Sequence, residues 1–105
     1  MPSPTLRFPK TWRLPFGFVA TIQRVTEALM KRRSGHAHRG YFTGWDPATH
    51  TSTIYINRDC PLEDQYDTLT HEMRHAVIDW ESWVQDRRLE VFEGRLKTAW
   101  EAHHE

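Results

Sequence analysis

The segment Pro61-Leu62-Glu63-Asp64-Gln65-Tyr66-Asp67-Thr68-Leu69-Thr70-His71-Glu72-Met73-Arg74-His75 holds no glycine and no proline after its first residue. Acidic Glu63 and Asp64 stand where the dipole of a helix N-terminus favours negative charge. Leu69, Met73, Ala76, Val77 and Trp80 recur at helical spacing, and this apolar stripe predicts a helix over residues 62–80. His71 and His75 lie off the stripe, one turn apart on a face of their own. From there two neutral imidazoles reach a single Zn²⁺ at about 2.0–2.1 Å. Glu72 follows the first histidine directly, beside such an ion rather than on it, where it can act as a general base toward water. The plain alternative is a pair of solvated histidines on a helix surface.

Upstream, Gly40–Trp45 and Thr51–Asn57 are rich in aromatic and β-branched residues and read as strands. Asp46-Pro47-Ala48-Thr49 between them is a turn signal, so the pair predicts an antiparallel hairpin. Ile54 and Ile56 face one side and Thr53, Tyr55 and Asn57 the other; the isoleucines are expected against the helices. Val19, Ile22, Val25 and Ala28 recur every three residues, which predicts an amphipathic helix over 18–33, stopped by Ser34-Gly35. Residues 1–17, with Pro2, Pro4, Pro9 and Pro15, are expected as an extended arm pinned by Phe8, Trp12 and Leu14. Downstream, Ser82 and Gln85 form a capping-box pattern. It predicts a last helix over 83–102 whose stripe is Leu89, Phe92, Leu96 and Trp100. The expected class is a small α+β domain over residues 1–105: helix, hairpin, metal helix, C-terminal helix.

Thr68-Leu69-Thr70-His71-Glu72-Met73-Arg74-His75-Ala76 resembles the active-site helix of zincin metallopeptidases, with the small SprT-like and other minimal zincins nearest. The resemblance spans roughly residues 40–100, though only the motif and its flanks are specific. It implies a minimal zincin-like fold with Thr53–Asn57 as the edge strand before the metal helix. It also implies zinc as cofactor, His71 and His75 as ligands, Glu72 as general base, and a peptide or protein as substrate.

Catalytic zinc usually takes three protein ligands, so a third has to be found. Asp79 shares the helical row of His71 and His75 but lies about 12 Å along the axis from His71, and is expected to be exposed or to support a ligand. Glu81 stands six residues after His75, where one zincin pattern has its third ligand, but that pattern needs a glycine where this chain has Ile78. Glu93 borders the last apolar stripe, where a carboxylate is costly unless paired or bound. Eighteen residues separate it from His75, close to the gap in glutamate-type zincins, whose second helix returns past the metal helix. Glu93 is therefore the leading candidate, with Asp86 and Glu81 left open. SprT-like proteins use a histidine here; this chain has none between His75 and His103.

Composition bounds the rest. With 105 residues and five tryptophans, five phenylalanines and three tyrosines, the chain suits one folded domain with a modest core. Fourteen basic and fourteen acidic side chains give a formal net charge of zero, so no global attraction to nucleic acid follows. The run Lys31-Arg32-Arg33, extended by Arg39, reads as a solvated helix end or, through the resemblance, as a phosphate-binding patch. The single cysteine, Cys60, excludes an intramolecular disulfide, fits a packing role and accords with a cytoplasmic setting. No stretch reads as a membrane span, and the apolar run at 14–20 reads as mature structure rather than a signal peptide. His36, His38, His103 and His104 are read as loop or tail residues with some reach toward a metal. The expected function is zinc-dependent peptide hydrolysis with Glu72 as base; Tyr41 or Tyr55 are candidate oxyanion donors. The alternatives are a zinc-stapled adaptor or nucleic-acid-associated module, and a zinc-free helical interaction domain.

Overall fold

The computed structural model describes residues 8–35 and 38–104. It is mixed α+β. The elements are β1 (Thr11–Leu14), β2 (Phe18–Val25), α1 (Glu27–Ser34), β3 (Gly40–Phe42), β4 (Thr51–Asn57) and α2 (Leu62–His104). The strands form one sheet in the order β1-β2-β4-β3. β1 and β2 are antiparallel, β2 and β4 parallel, and β3 and β4 antiparallel. α2 covers one face of the sheet and α1 lies on the other.

The expected helix over 18–33 is replaced by a strand and a shorter helix. Phe18, Ala20 and Ile22 are all buried while Thr21 and Gln23 are exposed, a period of two rather than 3.6. The β-branched run Val19, Thr21, Ile22, Val25 favours that pleat, and pairing with both β1 and β4 completes its hydrogen bonds. Thr26 then caps α1, its hydroxyl accepting from the Leu29 amide at 3.2 Å. At the far end Gly35 adopts φ 79°, a left-handed conformation suited to glycine, and donates to the Lys31 carbonyl. Lys31, Arg32 and Arg33 occupy the last turn, as expected of a helix end. Arg33 also donates to the Tyr55 hydroxyl at 3.0 Å.

The extended arm proves to contain β1. Phe8 and Trp12 pack against the core as anticipated, and residues 1–7 lie outside those described. The turn after β1 holds Phe16 at φ 70° and Gly17 at φ 78°. Phe16 is thereby set 6.4 Å from Trp80 and 6.2 Å from Trp83, ring to ring. The Trp80 indole donates to the Pro15 carbonyl at 3.1 Å, fastening this turn to α2.

The hairpin forms as read, with β3 shorter than expected. Asp46 accepts from the Ala48 and Thr49 amides at 2.8 and 3.1 Å. These bonds, the Ala48 one foremost, hold its carboxyl below the usual range. Ile54 and Ile56 turn toward α2 and share a core with Ala20, Ile22 and Leu69. Tyr55 faces α1 with Val25 and Met30. β4 is an interior strand, so the edge beside α2 is β3, not Thr53–Asn57.

Gly40 fixes how closely that edge approaches the helix. A Cβ there would stand 2.5 Å from Thr68 Cγ2 and 2.6 Å from the Tyr55 carbonyl oxygen. The carbonyl belongs to the central strand and cannot yield. Gly40→Ala is expected to cost about 1–3 kcal/mol of stability, the usual range for overpacking. Urea denaturation measures it, and an unchanged midpoint would mean that β3 does not press on α2.

The largest correction concerns the C-terminal half. The predicted helix hairpin is absent, and Leu62–His104 is one helix of 43 residues. At 1.5 Å per residue it is about 65 Å long, and the longest dimension of the molecule is 72 Å. Its interior holds no proline and only Gly94 as glycine, so nothing interrupts the hydrogen-bond ladder. Ser82 and Gln85 match a capping box but sit mid-helix, where the turn that would need capping never forms.

Candidate metal centre

The start of α2 is anchored by a residue that sequence reasoning passed over. Gln65, 3% exposed, accepts from Arg24 Nε at 2.9 Å. Its amide nitrogen donates to the Arg58 and Cys60 carbonyls at 3.2 and 2.7 Å. Its only sequence signal is a polar residue four positions before Leu69 on the buried stripe. One turn further on, Leu69 and Ala76 are buried and Met73 packs beside them, which fixes the rotation of the helix. The Trp45 indole reinforces this by donating to the Ala76 carbonyl at 2.9 Å.

With that rotation set, His71 and His75 emerge on the exposed side while Glu72 is buried at the rim of the sheet. The two imidazole Nε2 atoms are 2.9 Å apart, and the rings stand at 89°. Ligand atoms of His71, Glu72 and His75 all lie within 4.8 Å of one another, and they are the group of three or more potential metal ligands found among the described residues. Glu72 lines two hollows of about 440 and 570 Å³ on either side of it. Arg39, Gly40 and Thr68 flank the first; Phe42, Thr43, His75 and Asp79 flank the second. Both hollows thus lie between α2 and the edge strand β3.

This donor set fits zinc. Two nitrogens on a tetrahedral ion stand roughly 3.3 Å apart when each bond is about 2.0–2.1 Å. The observed pair, 2.9 Å apart, needs to open by only a few tenths of an ångström to meet that spacing. Glu72 has no hydrogen bond or ion pair among the described residues, and its side chain opens onto the hollows that flank it. That leaves the carboxylate available to a cation or to water beside the histidines.

The third ligand does not come from where the sequence pointed. Glu93 lies about 27 Å along the helix from His75, and Asp86 about 16 Å. Both assignments required α2 to fold back, and it does not. Glu81 is about 9 Å along the axis and exposed. None of the three joins the cluster. Asp79 is exposed, as expected, and shares a hollow with Glu72 and His75. Glu93→Ala is therefore expected to leave zinc affinity within about twofold of wild type, well inside the 10–100-fold typical of even a supporting residue. Competition against a chromogenic chelator measures this, and a large loss would mean that Glu93 reaches a metal by some other route.

The other histidines are apart from this centre. His38 lies near Tyr41, ring centroids 6.0 Å apart, on the α1 side, and His103 is near the far end of α2. His36 and the His104 side chain fall outside the description. Cys60 is a half-buried free thiol that does not join the cluster. Tyr41 stacks on Tyr55 at 4.9 Å, on the face of the sheet away from α2. Burial, and then the Tyr55 phenol, push the Tyr41 phenol above its ordinary range, with Arg33 opposing. Tyr41 nevertheless lines the hollow that holds Glu72 and His75, whereas Tyr55 does not. No helix among the described residues is long and apolar enough to cross a membrane. Comparison with family models, curated proteins and solved structures finds no match for this chain.

Proposed function

We propose that this chain is a zinc-dependent hydrolase of peptide bonds, a minimal zincin-like domain in which His71 and His75 hold the metal. The observation that carries the reading is the convergence of two exposed imidazoles with a buried, unpaired Glu72 beside a free sheet edge. A zinc ion held there supplies a Lewis acid that polarises a carbonyl and acidifies water. Glu72 is the general base: its carboxylate takes a proton from the attacking water and returns it to the leaving amine. β3, the terminal strand of the sheet, offers its outer backbone edge to an extended peptide, and strand addition there would lay the substrate across the hollows flanking Glu72. A peptide or protein is therefore the proposed partner. The phosphate-binding reading of Lys31, Arg32 and Arg33 is not carried forward, because Arg33 is already engaged with Tyr55.

A second reading is favoured by one observation. Among the described residues two histidines and Glu72 converge, whereas catalytic zinc usually has three protein ligands and a free position. If Glu72 is itself a ligand, the centre is a staple of a non-catalytic module. Glu72→Gln separates the two. A base can be replaced while the metal stays, but a ligand cannot. The assay is hydrolysis of an unfolded protein such as casein by zinc-loaded protein, with zinc content measured on the same samples.

A further inference from the structure

The distal half of α2 has no sheet beneath it, yet it carries a row of large apolar side chains. Leu89, Phe92 and Leu96 are 56%, 57% and 55% exposed. They follow a heptad rhythm, with Leu89 and Leu96 at a positions and Phe92 and Ala99 at d. At about 100° per residue this row lies on the opposite side of the helix from Leu69, Met73 and Ala76, which pack on the sheet. A helix laid along it would meet neither the sheet nor α1.

The charges on this half fall into two sets. Arg87 pairs with Glu90 at 3.3 Å and Lys97 with Glu101 at 4.0 Å, both within the helix and on the side away from the apolar row. Arg88 and Glu93 flank the row at g and e, and among the described residues neither has an ion-pair partner. They stand five residues apart, the spacing at which a g residue of one helix meets an e residue of the next in a parallel, in-register pair. In an antiparallel pair the like positions meet, arginine facing arginine and glutamate facing glutamate.

We propose that the distal half of α2 pairs with the same segment of a second copy of this chain as a parallel two-stranded coiled coil. Leu89, Phe92, Leu96 and Ala99 form the seam, and Arg88 of each copy meets Glu93 of the other. The row is self-complementary under a two-fold axis, which is what an isologous interface requires. The seam ends below the metal centre. Ser82 and Gln85 place polar residues at a and d there, and Glu81 would face Asp86 of the other copy, like charge on like. The helices part at that level, and both copies of the His71, Glu72 and His75 cluster remain open. The pairing does not depend on the proposed hydrolase activity.

Sedimentation equilibrium of the full chain, in buffer with chelator so that no metal bridges copies, tests this. Wild type should pass from the mass of one chain to that of two as concentration rises through the micromolar range. Leu96→Lys should stay at one chain while far-UV circular dichroism retains its helix signal; a helical Leu96→Lys that still dimerises overturns the seam. Arg88→Glu and Glu93→Arg should each weaken association about tenfold or more, because two exposed pairs turn from attraction to repulsion. The double variant R88E/E93R should restore it. A wild type that remains one chain throughout overturns the proposal. So do single charge reversals without effect, the behaviour of an antiparallel pair, and a double variant that stays weak.

Discussion

Replacing either histidine is expected to remove zinc. The wild-type chain is expected to bind one zinc ion, and His71→Ala or His75→Ala to lower its affinity by well over the 10–100-fold that changes outside the ligand shell produce. Each substitution halves the histidine donors and leaves one imidazole on an exposed helix face, which has no more hold on a metal than a surface histidine. Both residues are exposed and outside the core, so the fold should survive and the loss is attributable to ligation. Competition with a chromogenic chelator, checked by elemental analysis, gives the numbers. Zinc affinity unaltered by both substitutions would remove the metal centre and leave the histidines as a surface hydrogen bond.

What the sequence made legible was local, and so was most of what it hid. Leu69, Met73 and Ala76 at helical spacing oriented α2 correctly, because the sheet beside this half of the helix gives the stripe a core to face. The same logic put Ile54 and Ile56 on the α2 side of β4. At 18–25 two periodicities coexist, since Val19, Ile22 and Val25 read as helical while Phe18, Ala20 and Ile22 read as a strand. Partners decided between them: β1 and β4 hydrogen-bond both sides of β2, and no sequence window contains both neighbours. The same limit explains why β4 was mistaken for an edge, as its parallel partner lies some thirty residues upstream.

The missed continuity of α2 has a different cause. Ser82 and Gln85 fit a capping box, but a cap acts only where the chain has already left the helix. Between Trp80 and Gln85 no glycine or proline makes it leave. From that error followed the choice of Glu93 as a ligand. Its place beside Leu89, Phe92 and Leu96 was read correctly; the inference that this row faces the metal helix was not. The row faces away from the sheet, and Glu93 with it.

Glu72→Gln is the substitution that assigns chemistry to the centre. Under the proposed hydrolase it should keep zinc at wild-type affinity and lose hydrolysis by about 10²–10⁴-fold, the usual contribution of a positioned general base. The amide keeps the size of the carboxylate and fits the same hollows beside Gly40 and Phe42, so a collapsed site is not a competing cause. Glutamine cannot accept the proton of the attacking water, and that is the function being removed. Glu72 is 8% exposed, and its side chain opens onto the hollows on either side of it. Metal-free Glu72→Gln should therefore unfold at nearly the same urea concentration as metal-free wild type. If Glu72 is instead a ligand, zinc is lost along with any effect on catalysis, and the non-catalytic reading stands. Equal hydrolysis by variant and wild type, with zinc retained by both, would sink the general-base assignment outright.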